Sequence, residues 1–206
     1  GDAEAVMSAS SLVVHAREIL VHPLQEWEVI DHEEASVGGL YRSYIAPLAA
    51  IGPIATLVGM SLFGISIPFF GTYRAPFGSA LASVVVRYAL ALGGVFLLAL
   101  VIDALAPTFS GQKSRIQALK VAAYASTAAW LAGVFALVPP LRILGLLGLY
   151  SLYLLYLGLP VLMKTPKDKA LGYTAVVMIC AFVVFAVIGW IAAAFVRFPT
   201  AGVPLS

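Results

Sequence analysis

Polar and apolar positions fall in long blocks along this chain. From Tyr44 onward the apolar blocks reach ~20 residues, the length that carries a helix across the ~30 Å hydrocarbon core of a bilayer. Short breaks separate them. The pattern predicts helices at about 44–62, 79–103, 119–138, 140–163 and 171–196. The first contains Pro47 and Pro53, which a membrane helix tolerates where neighbours satisfy the freed carbonyls. It also holds Ala55 and Gly59 at a spacing suited to close helix packing. Phe63 to Phe77 reads as an aromatic loop with Phe69, Phe70 and Tyr73, the composition of an interfacial belt. The second carries Arg87 and Gly93-Gly94, and a polar loop from Ala106 to Lys120 follows. Pro139-Pro140 makes a tight turn between the third and fourth.

Ahead of these blocks, Ser8 to Val21 has the spacing of an amphipathic helix. Leu12, Ala16, Ile19 and Leu20 share one face, with Arg17 and Glu18 off it. His22-Pro23 interrupts it. Leu24 to Ala35 is acidic, with Glu26, Glu28, Asp31, Glu33 and Glu34, yet Leu24, Trp27 and Ile30 give it an apolar side. Gly38-Gly39 breaks the pattern before the first span.

Composition fixes the class. The chain is 62% hydrophobic and 11% charged, with mean hydropathy +1.00, whereas water-soluble domains are about a quarter charged. The expectation is an all-α polytopic membrane helix bundle of five transmembrane helices (44–206), preceded by a cytosolic N-terminal segment (1–43). No room is left for a separate water-soluble domain. Cys180 lies inside an apolar run and has no partner for an intrachain disulfide. The N-terminus carries no signal-peptide pattern, and Met7 reads as the native start, with residues 1–6 an addition.

Charge sets the orientation. Counted over five spans, the side with the N-terminal segment and the second and fourth loops holds eight Lys/Arg, and the other side holds Arg74, Arg142 and Arg197. The positive-inside rule then places the N-terminus in the cytoplasm and the C-terminus outside. Residues 1–43 hold eight acids and two bases, and residues 44–206 hold ten bases and two acids. This contrast predicts that residues 22–36 fold back over Lys113, Arg115, Lys164, Lys167 and Lys169; a solvated acidic tail is the alternative. An Asp103–Lys120 pair is expected between the second and third spans.

Candidate chemistry concentrates at the hinge after the fourth helix. Thr165, Pro166 and Asp168 have the order of an N-cap, a first-turn proline and a capping-box acid, so the fifth helix is expected to start at Pro166. Lys164 suits the end of the fourth helix, but Lys167 and Lys169 oppose the dipole of the fifth. They serve topology and headgroup contact, or recognition of a protein or anionic lipid. Tyr150, Tyr153 and Tyr156 sit inside the fourth span, where each hydroxyl needs a partner: another helix, a polar path or a lipid headgroup. Arg87 lies within the second span and either snorkels to the interface or marks a functional site. His22, Glu26, Glu28 and His32 include two pairs at i,i+4 spacing, a weak metal-ligand pattern. No nucleophile–base arrangement, phosphate-binding glycine loop or zinc-protease motif occurs. No enzymatic activity, resident metal or other cofactor, or nucleic-acid partner is expected.

The run Tyr150, Tyr153-Leu154-Leu155-Tyr156-Leu157-Gly158-Leu159-Pro160, followed by Lys164, Pro166, Asp168-Lys169 and Gly172-Tyr173, closely resembles the signature of bacterial members of the Yip family, the Ypt/Rab-interacting membrane proteins. The five-span plan and Ala122-Ala123-Tyr124 resemble it too, and the likeness covers nearly the whole chain. It implies a helical bundle with a cytosolic N-terminus in the bacterial inner membrane. In the eukaryotic branch it also implies vesicle trafficking and contact with small GTPases. This chain lacks that branch's long N-terminal region and its Asp-Leu-Tyr-Gly-Pro element, of which Leu40-Tyr41 remains. The expected function is therefore a non-enzymatic role in organising the membrane or binding lipid or a cytosolic protein partner. A small transporter or channel with a polar path near Arg87 and the fourth-span tyrosines is the alternative.

Overall fold

The computed structural model describes residues 2–63, 65–67, 71–73, 77–137 and 139–195. Two helices open the chain, α1 (Asp2–Val21) and α2 (Pro23–His32). The break between them falls at His22, with Pro23 at the first position of α2, where its missing N–H costs nothing. A stepped helical stretch follows: α3 (Val37–Leu40), a π-turn (Tyr41–Ile45), α4 (Ala46–Ala49) and α5 (Ile51–Phe63). A small antiparallel hairpin pairs Ile65–Ile67 with Gly71–Tyr73. It falls within the expected aromatic loop, whose Phe69 and Phe70 lie outside the described residues.

Next come α6 (Phe77–Leu105), a 3-10 turn (Ala106–Phe109), α7 (Arg115–Ala125) and α8 (Thr127–Ala132). Beyond α8 the chain tightens into 3-10 geometry at Gly133–Leu137 and Pro139–Leu149, then relaxes into α9 (Tyr150–Leu162). A short 3-10 turn at Lys167–Lys169 leads into α10 (Ala170–Phe195).

Among the described residues, four helices are long and apolar enough to cross a membrane: Val84–Phe109, Arg115–Phe135, Ile143–Leu162 and Lys167–Val187. They correspond to the second to fifth expected spans, so the chain is an all-α membrane bundle. The first expected span, 44–62, is not among them, and its helix is divided at Ala50. Its prolines explain the division. Pro47 and Pro53 each remove a helical N–H and crowd the carbonyl four residues back, and the widened π-turn at Tyr41–Ile45 lies just ahead of Pro47. Small residues let this broken stretch pack closely: Ala55 and Gly59 are both buried. A Cβ on Gly133 would lie 2.8 Å from the Gly52 Cα, so these two backbones touch.

The outward faces are those of a lipid-exposed protein. Leu146 is 62% exposed, Phe182 74% and Trp190 75%, a density of bare apolar side chains that water would not tolerate. The core lies at the hinge end of the bundle, between α2, α7 and α9. Trp27, Ile30, Leu119, Leu154 and Leu159 are essentially fully buried there. Leu24, expected on the same apolar side, is exposed. Trp27 lies flat on Gly158: a Cβ on that glycine would meet the indole at 2.7 Å. Glycine is required because the indole occupies the space of a side chain.

Gly158→Ala should therefore lower stability in detergent by about 1–3 kcal/mol through overpacking, and Trp27→Ala by about 3–5 kcal/mol through a cavity. The two share one contact, so the combined Trp27→Leu/Gly158→Ala variant should recover part of the loss. Additive destabilisation in a thermal-unfolding double-mutant cycle would show that the two residues do not meet.

Candidate functional site

The N-terminal acids close onto the hinge end of the membrane helices. Lys120, on α7, is 3% exposed. Its ammonium donates to the Ile30 carbonyl at 2.9 Å and the Glu33 carbonyl at 2.5 Å. Both lie at the C-terminal end of α2, where carbonyls lack helical partners and the dipole is negative. Asp31 reaches sideways: one carboxylate oxygen accepts from Gln117 Nε2 at 2.7 Å and the other pairs with the Lys164 ammonium. The fold-back expected from the charge contrast is thus present, but Lys120 and Lys164 carry it. The Asp103–Lys120 pair does not form, and Asp103 keeps a buried Oδ1 without a partner.

A second polar cluster lies on the other side of α2. His15 Nδ1 is 2.5 Å from Glu26 Oε1, and its Nε2 is 3.3 Å from Glu33 Oε1. Glu26 is buried, so its carboxylate needs this partner. The imidazole edge meets the ring of Tyr124, which also touches Trp27 and lies 4.3 Å, centroid to centroid, from Tyr44. A cavity of about 320 Å3 opens beside this cluster, with His15, Glu33, Glu34, Tyr44 and Tyr124 in its wall. The sequence placed Trp27 on an apolar side and Tyr124 in the family resemblance but did not single out His15; the available signal was a histidine on the apolar-face side of an amphipathic helix.

The four weak metal candidates are dispersed. His22 faces Glu18 at 2.9 Å, Glu26 faces His15, and His32 Nδ1 donates to the Glu28 carbonyl of its own helix, 2.8 Å away. Among the described residues no group of three or more His, Cys, Asp or Glu could hold a metal.

The hinge differs from its expected capping box. Pro166 is extended, with ψ 138°, and precedes a 3-10 turn rather than opening the α-helix. Thr165 is buried with its hydroxyl unpartnered, pressed against Gly111. Packing of the Ala106–Ser114 loop forms the bend: Gln112 N–H donates to the Met163 carbonyl at 2.7 Å, and Lys164 takes a left-handed conformation, φ 55°. Lys167, Asp168 and Lys169 are exposed, and Lys169 donates to Ser110 Oγ at 2.6 Å. Lys113 and Arg115 are exposed on the same loop face.

Of the three fourth-span tyrosines, Tyr150 ties helices together through its hydroxyl, which donates to the Leu20 carbonyl at 3.1 Å. Tyr153 is exposed and touches the Tyr150 ring; Tyr156 is half-buried. Four tyrosines outside the fourth span make equivalent ties. Tyr41 donates to Leu92 O, Tyr88 to Ala46 O and Tyr173 to Ile102 O, and Tyr44 bonds Thr127 Oγ1 at 2.7 Å. Arg87 is exposed on the outer face of α6 and does not line the cavity beside His15.

Comparison with known proteins agrees with this architecture. The family model for the Yip1 domain matches residues 17–188. The chain is 26% identical over 165 residues to the inner membrane protein YohC of Escherichia coli K12, covering 78% of this chain and 85% of that protein. YohC of the O6:H1 strain of the same species matches to the same extent. No solved structure matches.

Lys120→Met should undock the end of α2, because it leaves two carbonyls without their donor at about 1–3 kcal/mol. Asp31→Asn removes an exposed-side ion pair and should cost only about 0.2–1 kcal/mol. Amide hydrogen exchange across residues 23–36 checks both: strong deprotection is expected in Lys120→Met and slight change in Asp31→Asn. The reverse order would show that Lys164, not Lys120, anchors the segment.

Proposed function

The chain belongs to the Yip1 domain family, and on that premise we propose that it is a non-enzymatic bacterial inner-membrane protein that organises the bilayer by engaging anionic lipid headgroups on its cytosolic face. One observation carries this. The docked end of α2 uses up Lys120 through two backbone carbonyls and Lys164 through Asp31, while Lys113, Arg115 and Lys167 stay exposed, and among the described residues no carboxylate pairs with them. A basic rim on one face of an apolar bundle attracts an anionic leaflet by about 1 kcal/mol per residue. Among the acids, Asp31 is turned onto Gln117 and Lys164, Glu26 and Glu33 face His15, and the exposed Glu28 and Glu34 form no ion pair with the rim among the described residues.

The same reading places the N-terminus and the hinge in the cytoplasm. YohC, the similar protein, is named for the inner membrane, and the excess of lysine and arginine on the hinge side agrees with that orientation.

The test is lipid retention. Native mass spectrometry of the purified protein titrated with phosphatidylglycerol should show tight binding, and Lys113→Gln/Arg115→Gln/Lys167→Gln should weaken it by roughly 10- to 100-fold. Unchanged retention would remove the rim from the function. A phosphatase reporter that works only in the periplasm should be inactive in the Lys113 loop and active at the C-terminus; the opposite pattern would overturn the orientation.

A further inference from the structure

Three cavities succeed one another along α1, and their linings change from polar to apolar. The first is the cavity beside His15, Glu33 and Glu34. The second, about 490 Å3, is walled by Leu12, Leu20, Leu48 and Leu131, with Arg17 in its lining. The third, about 400 Å3, is walled by Leu20, Leu131, Phe135, Leu147 and Tyr150. Leu12 borders the first two, and Leu20 and Leu131 border the last two.

Two further parts of the chain line them in the same direction. On the stretch from the π-turn to α5 it runs Tyr44, Leu48, Ile51; from α7 through α8 it runs Tyr124, Leu131, Phe135. Each sequence leads away from the hinge end, where α2 docks, toward the middle of the bundle. The cavities therefore form one track, polar at the hinge end and apolar in depth. That is the polarity of a lipid entering from the leaflet on the hinge side.

The polar end selects the headgroup. Glu33 and Glu34 face it, with Glu26 behind, against the single imidazole of His15. Tyr44 and Tyr124 add two aromatic rings. Carboxylates beside aromatic faces suit an organic ammonium and repel a headgroup that carries only negative charge. We propose that this track binds one phosphatidylethanolamine-type lipid from the bilayer, with its ammonium against Glu33, Glu34 and the two tyrosines. An acyl chain follows Leu12, Leu20 and Leu131. The site is separate from the basic rim and takes a different headgroup, so either can fail without the other.

The experiment is a native mass spectrometry titration of the full chain with dioleoyl phosphatidylethanolamine and with the matching phosphatidylglycerol. The track should favour the ethanolamine lipid, and Glu33→Gln/Glu34→Gln should weaken its binding about 10-fold, the scale of one charge or cation–π contact, while leaving phosphatidylglycerol bound at the rim. Leu131→Phe, which narrows the apolar part without touching a charge, should also weaken it. The Lys113→Gln/Arg115→Gln/Lys167→Gln variant should bind it as the unaltered protein does. Ethanolamine-lipid binding that survives the glutamate changes, or that survives Leu131→Phe, would overturn the proposal.

Discussion

A lysine ammonium taken from water must be met by the protein, because an unpaired buried charge costs several kcal/mol. Lys120 is in that position, and its partners are the carbonyls of Ile30 and Glu33. Those carbonyls belong to the end of a helix, where no intrahelical donor reaches them. One contact thus satisfies a buried cation and a helix terminus together, and it fixes α2 on α7. The rest of the hinge end follows from that placement. Trp27 falls on Gly158, Asp31 comes between Gln117 and Lys164, and Glu26 and Glu33 take opposite edges of the His15 ring.

Much of this was legible in the residues, and the parts that were not share a cause. Four spans stood out because apolar length alone marks them. The first did not survive as a continuous helix, because two prolines compete with the apolar pattern and composition does not say which prevails. The attraction of acids to lysines was visible as a charge contrast, yet the lysine that matters most was assigned to Asp103. Neighbours in sequence are poor guides to partners across helices, and Lys120 bonds to residues about 90 positions away. The tyrosines teach the same lesson. Tyr150, Tyr153 and Tyr156 drew notice by repetition, but the need for a partner in apolar surroundings applies equally to Tyr41, Tyr44, Tyr88 and Tyr173, which meet it between helices.

The hinge shows local chemistry yielding to packing. Thr165-Pro166-x-Asp168 has the letters of a capping box, but the Ala106–Ser114 loop presses Gly111 onto Thr165 and takes the Met163 carbonyl for Gln112. The threonine side chain is buried in that contact and cannot turn to cap a helix. Lys164 is driven into a left-handed conformation, uncommon for a residue with a side chain, and this is the residue that meets Asp31. The bend therefore sorts its lysines: Lys164 turns toward the acidic segment while Lys167 and Lys169 stay outside.

The N-terminal helices also change what the bundle presents to its surroundings. Along the hinge-side half of α9, α2 packs with Trp27 on Gly158, so protein rather than lipid lies there. Bare apolar faces are found instead on α6, on α10 and on the 3-10 stretch ahead of α9. Such a segment cannot leave in part. Lifting α2 would expose Trp27 and Ile30, strand the Lys120 ammonium and leave Glu26 beside no partner, losses that arrive together because one helix carries all of them. The N-terminal segment thus behaves as a structural member whose docking is all-or-none. The polar cavity, walled by His15, Glu33, Glu34 and Tyr124, exists only while it is docked.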